Sequence, residues 1–159
     1  MYIHPDSCRQ QIFGIKGCMH GKVPEKEVVF MKTGTHFAVK NAGPSADLTR
    51  EVFHDSLALT GTEISINRLK AGESIPFIHS HKRNEEVYIF IKGKGMAYID
   101  GEKIPVTEGD FMRIDPEGKR CFKADDSTDL TYICIQAERN SLVQHTKEDG
   151  HIIKESLTW

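Results

Sequence analysis

The sequence predicts an all-β domain. Three observations lead there: short apolar runs alternating with polar residues recur from about Arg50 to Ala137, turn-forming Gly, Pro, Asn or Asp bounds nearly every run, and no stretch carries a long helical apolar period. About eight such runs in 159 residues fit a closed two-sheet barrel of jelly-roll type, large enough to bury a core without cross-links.

Residues 1–46 read as an irregular arm of the same domain. Gly14, Gly17, Gly21, Pro24, Gly34, Gly43 and Pro44 punctuate it, leaving two short alternations, Val28 to Met31 and His36 to Lys40. Asp47 to Glu51 reads as the start of a helical turn, with Ser45 as its cap. Residues 47–140 then form the barrel. Its strands are expected at Glu51–Asp55, Thr62–Leu69 with Ile64, Ile66 and Arg68 on one face, Ile75–His81, Glu86–Ile91, Gly95–Ile99, Glu102–Val106, Gly109–Ile114, Arg120–Ala124 and Leu130–Ala137. Asp100-Gly101 is the strongest hairpin signal, because glycine tolerates the positive φ of a type I′ turn. Residues 141–159 form a polar tail ending in Trp159, which is expected to dock on the barrel or on a partner.

Composition narrows the function classes. With 38% hydrophobic and 28% charged residues and a formal charge of -2, the chain has no net attraction for nucleic acid or anionic membrane. Neither a helix-turn-helix segment nor a basic face is visible, so a transcription regulator is disfavoured. The first twenty residues lack an apolar run of signal-peptide length, and the protein is read as cytoplasmic. Four cysteines, Cys8, Cys18, Cys121 and Cys134, are too few and too scattered for a secreted disulfide framework. His4, Cys8, Cys18 and His20 match no usual zinc-finger spacing.

The chemistry concentrates between Gly72 and Gly93. His79 and His81 stand one residue apart, so on an extended strand both imidazoles face the same way. Across the polar turn at Lys82, Arg83 and Asn84, Glu86 opens the next strand and can approach them. Two imidazoles and one carboxylate with open positions suit a first-row divalent metal, here iron, manganese, nickel or zinc.

This stretch resembles the first motif of the cupin superfamily, G-x5-H-x-H-x3-4-E-x6-G. From His79 onward the fit is complete, and the six-residue spacing to Gly93 selects Glu86 over Glu85. Gly72 stands one residue too far from His79. The resemblance implies a single cupin barrel, a double-stranded β-helix, with His79, His81 and Glu86 as metal ligands.

The second cupin motif, G-x5-P-x-G-x2-H-x3-N, has its counterpart at Gly109–Ala124 but lacks the histidine that usually completes the metal site. Counted without a gap, Arg120 takes the histidine position; with one inserted residue, Cys121 takes it and becomes a candidate fourth ligand. Strand alternation favours the first register, which turns Arg120, Phe122 and Ala124 inward. The second would bury Lys123 without a partner. An inward Arg120 either pairs with Glu86 and leaves no metal, or clamps the carboxylate or phosphate of a small ligand. Tyr88 follows Glu86 at period two, with Tyr98 on the same face if the next strand keeps phase. Both are candidate ligand-contacting hydroxyls in an apolar pocket inside the barrel.

Two functions are expected. The first is a divalent-metal cupin holding a small anionic or sugar-like molecule, as an oxygenase or isomerase, with Arg120, Tyr88 and Tyr98 at the substrate. The second is a non-catalytic binding cupin with a degenerate or empty metal site. Whether the protein is an enzyme stays open at this point, and a homodimer through an edge-strand face is expected.

Overall fold

A computed structural model describes residues 31–44 and 46–157. The cap at Ser45, the Cys/His group of residues 4–20 and Trp159 lie outside the described residues, as does most of the alternation that begins at Val28.

The described elements are β1 (Met31–Thr33), β2 (Ala38–Lys40), β3 (Arg50–Val52), helical turn α1 (His54–Leu57), β4 (Glu63–Leu69), β5 (Asn84–Ile99), β6 (Glu102–Thr107), β7 (Phe111–Ile114), β8 (Arg120–Ala124) and β9 (Leu130–Glu138). β1 and β2 form a separate antiparallel ribbon. The remaining strands build an all-β fold of antiparallel sheets. On one side the order is β3-β4-β9-β5-β7, and on the other β6 and β8 flank the second half of β5.

β5 corrects the expected strand list. Glu86–Ile91 and Gly95–Ile99 are not two strands separated at Gly93 but one sixteen-residue strand that passes from the first sheet into the second. Between Phe90 and Lys92 its pairing with β9 shifts register, so one extra residue is accommodated as a bulge. Glu86, Tyr88 and Phe90 face inward before the bulge; Ala97 does so after it, and Met96 and Tyr98 therefore turn the other way. Gly93 is required inside this strand. Its φ is +82°, and a Cβ there would stand 1.8 Å from the Asp129 carbonyl oxygen.

Other differences are local. The helical turn begins at His54 rather than Asp47, and Arg50–Val52 is a short edge strand. Ile75–His81 pairs with the opposite segment through isolated bridges at Ser74 and His79 instead of a continuous ladder. The hairpin at Asp100-Gly101 is present, with φ of +50° and +98°. The tail's Leu142, Val143, Ile152 and Leu157 stay exposed.

The core sits between the two sheets. Tyr88, Phe90, Phe122 and Tyr132 stack their rings with centroids 4.5–5.9 Å apart, walled by Ala97, Val106, Ile114, Ala124 and Leu130. Such aromatic pairs each add about 0.5–1.5 kcal/mol beyond their area burial, enough to favour a filled interior over an open one. The cluster of His79, His81 and Glu86 lies at one end of this plug.

Candidate metal centre

His79 reaches the cluster because its backbone is clamped to β8: its N–H donates to the Arg120 carbonyl at 3.1 Å, and the Arg120 N–H donates back at 2.9 Å. His81 is fixed two residues on, donating its N–H to the Pro116 carbonyl at 2.7 Å. Glu86 enters from β5, where it pairs with Ile114 of β7 and Gln136 of β9. Glu85 points the other way and pairs with Arg113 on the outside. The potential donor atoms of His79, His81 and Glu86 lie within 4.8 Å of one another, with His81 Nε2 3.1 Å from Glu86 Oε1. His79 Nε2 lies 4.0 Å from Glu86 Oε2.

Behind this face the Glu86 carboxylate is saturated. Oε2 accepts from the Tyr88 hydroxyl and from Arg120 Nε at 2.8 Å, and Oε1 accepts from Gln136 Nε2 at 3.2 Å as well as facing His81. Asn84 donates to the Gln136 Oε1 at 2.8 Å, which orients that amide so that its NH2 faces Glu86. Burial alone would raise the Glu86 carboxyl; the Tyr88 and Arg120 hydrogen bonds, the Arg120 charge and Gln136 outweigh it and hold it down at about 2.

The strand adopts the register that buries Arg120, Phe122 and Ala124. Arg120 is fully buried, and its Nη1 donates to the Gly118 carbonyl at 2.8 Å and the Pro116 carbonyl at 3.3 Å. Its Nη2 is 2.7 Å from Glu86 Oε2 but is not aligned as a hydrogen bond, so the contact is ionic. Of the two roles expected for Arg120, this is the pairing with Glu86 and not the clamp on a ligand. The guanidinium stands behind Glu86 with its donors turned to protein and no surface toward solvent.

Tyr88 is likewise committed to Glu86, and burial pushes its phenol well above the usual range. Tyr98 lies outside the barrel, across from Cys121 on β8 and Lys103 on β6, lining a groove of about 370 Å³ on that outer face. The bulge in β5 put it there. Cys121 shares Tyr98's side of the sheet and donates to the Ile75 carbonyl, with burial raising its thiol, so it does not reach the cluster as a fourth ligand.

Two further residues beside the site, Gln136 and Cys134, were not singled out in the sequence. Alternation along Leu130–Ala137 could have placed both beside Glu86 and Tyr88, their pairing partners. Burial and the Glu86 charge push the Cys134 thiol up to about 12, so it is an inert packing group.

The chemistry of the donor set fits a divalent metal. Bonds of about 2.1 Å at tetrahedral or octahedral angles need donors about 3–3.5 Å apart; His81 and Glu86 meet this at 3.1 Å, and His79, 4.0 Å from Glu86, would have to close in. The His79 Nδ1 is buried with no hydrogen-bond partner, and burial followed by the Arg120 charge lowers its imidazole, keeping the neutral ligating form.

Comparison with known proteins agrees with this architecture. Residues 65–136 match the Cupin domain family, and a cupin protein from Bacteroides fragilis is 48% identical over 68% of this chain and 92% of its own, with a TM-score of 0.66. The chain belongs to the cupin family. This cupin is also 23% identical, over 107 residues covering 67% of it and 82% of the relative, to an uncharacterised protein of Methanocaldococcus jannaschii. A sugar phosphate isomerase of the cupin superfamily from Silicibacter pomeroyi shares the fold at 17% identity, covering 56% of this cupin and 59% of that chain with a TM-score of 0.51. Among the described residues, no helix is long and apolar enough to cross a membrane.

Proposed function

We propose that this cupin binds one first-row divalent metal through His79, His81 and Glu86 and presents it to a small anionic or sugar-like molecule. The observation that carries the reading is the convergence of three donor atoms within 4.8 Å, with both imidazoles partly open to solvent and the carboxylate behind them. Iron, manganese, nickel and zinc all accept such a donor set, and the chain does not select among them. When bound, the metal supplies Lewis acidity toward an oxygen of the ligand, the chemistry common to isomerase and oxygenase centres.

Charge supports the anionic preference. Glu86 and Arg120 cancel, and two neutral imidazoles add nothing, so a dication here keeps its full charge. An anionic ligand balances that charge without any direct contact to Arg120. His81 Nε2 cannot both donate to Glu86 and ligate, so metal binding requires the tautomer with its proton on Nδ1.

The saturation of Glu86 by Tyr88, Arg120, Gln136 and His81 supports a second reading, a non-catalytic cupin that binds a small molecule without metal. Elemental analysis of purified, tag-free protein beside an identically prepared His79→Ala control separates them. About one metal per chain, absent from the control, is expected of a three-ligand centre. Equal, negligible metal in both after reconstitution overturns it in favour of the second.

A further inference from the structure

The segment that leads into His79 is longer than the strand it faces. Between the bridges Ser74 to Lys123 and His79 to Arg120, five residues of advance oppose three, so two residues are surplus and are pushed out of the pairing. Pro76, which has no N–H to offer a ladder, sits at that point. The sequence carries one extra residue in the same stretch, between Gly72 and His79. Phe77 and Ile78 are left 60% and 55% exposed.

The Phe77 ring lies beside the site, meeting the His79 ring edge-on at a centroid distance of 5.7 Å. Exposure of a phenylalanine ring to water is unfavourable, and among the described residues its ring–ring contact is with the partly exposed imidazole of a proposed ligand. The exposed ring therefore extends the mouth of the metal centre.

We propose that Phe77 is the apolar wall of the ligand site, so that the ligand class joins an anionic, metal-chelating group to an apolar and preferably flat body. The inference rests on the metal reading above. The chelating end meets the metal between His79 and His81, and the apolar end lies on the Phe77 ring. A fully hydrophilic anion leaves that ring in water.

The test compares acetohydroxamate and benzohydroxamate, which carry the same chelating group, on Co2+-reconstituted protein. Binding is followed by calorimetry and the cobalt absorption bands, and metal content is measured in parallel. Benzohydroxamate is expected to bind about tenfold more tightly to the parent protein, as partial burial of one ring implies. Phe77→Ala should bring the two affinities within about twofold at unchanged cobalt content, while Phe77→Trp and Ile78→Ala keep the preference. Full cobalt loading with no preference in the parent, or a preference untouched by Phe77→Ala, overturns the inference alone. Failure of the parent to take up cobalt overturns the metal reading and the inference together.

Discussion

Arg120 and Glu86 meet through a single carboxylate oxygen. Nε and Nη2 stand 2.8 and 2.7 Å from Oε2, leaving Oε1 to His81 and Gln136 on the side of the histidines. The arginine thus neutralises the carboxylate and fixes its rotation while one oxygen stays turned toward the open face. A histidine in that position could offer a further donor; the arginine instead holds the Glu86 carboxylate in place.

Removing either partner should be costly, because the other remains as an uncompensated buried charge. Arg120→Ala is expected to destabilise the fold by about 3–5 kcal/mol, measured by urea unfolding. A paired replacement of Arg120 and Glu86 by leucine and methionine should cost less than the sum of the single changes. Additive losses would show that the pair does not act as a unit.

His81→Ala should separate metal binding from stability. The side chain is partly exposed and its one polar contact is to Glu86 Oε1, so the loss of stability is expected at about 1 kcal/mol or less. Metal content should fall to background in the same preparation. Retained metal with a normal unfolding curve would remove His81 from the ligand set.

How much of this was legible follows from which residues carry a local pattern. His79, His81 and Glu86 announce themselves by spacing, and alternation along Arg120–Ala124 was enough to turn Arg120 inward, because burying Lys123 instead had no compensation. Tyr98 was misplaced for one reason: a single extra residue at Ile91 inverts the phase of the second half of β5, and a bulge between Phe90 and Lys92 leaves no compositional mark. Arg120 was given the right direction, and of the two partners open to it the structure takes Glu86. Its commitment to the Pro116 and Gly118 carbonyls depends on a loop conformation that no periodicity encodes. Gln136 sits in a run read as ordinary strand, and only the pairing of β9 with β5 brings it to the carboxylate.

The Glu86 carboxyl should make the fold acid-sensitive in a defined window. Held at about 2 in the fold against 4.5 as its ordinary value, it binds protons more readily when unfolded. Its contribution is therefore complete above about pH 4.5 and is lost as pH falls toward 2. His79 acts in the same direction, since its lowered value favours protonation in the unfolded chain below about 6.5. Unfolding free energy measured from pH 7 to pH 3 should fall steadily, and Glu86→Gln should flatten the lower part of that slope. An unchanged slope in the variant would show that other carboxylates set it.

Gly93→Ala tests the passage of β5 between sheets. A side chain there combines a left-handed backbone with a Cβ driven into the Asp129 carbonyl. A loss of more than about 3 kcal/mol is expected in thermal or urea unfolding. Gly101→Ala, also at positive φ but with no atom within 4 Å of the added Cβ, should cost less. Equal losses at the two sites would mean that backbone strain, not the Asp129 contact, limits this strand.

The aromatic plug of Tyr88, Phe90, Phe122 and Tyr132 also bears on exchange kinetics. Since these rings pack beside Glu86 while His79 and His81 stay partly exposed, a molecule meeting the two imidazoles is expected to reach them from the solvent side. Residence time is then governed by the bonds made at the histidine face and the ring beside it, and affinity differences among ligands will be read in dissociation rates.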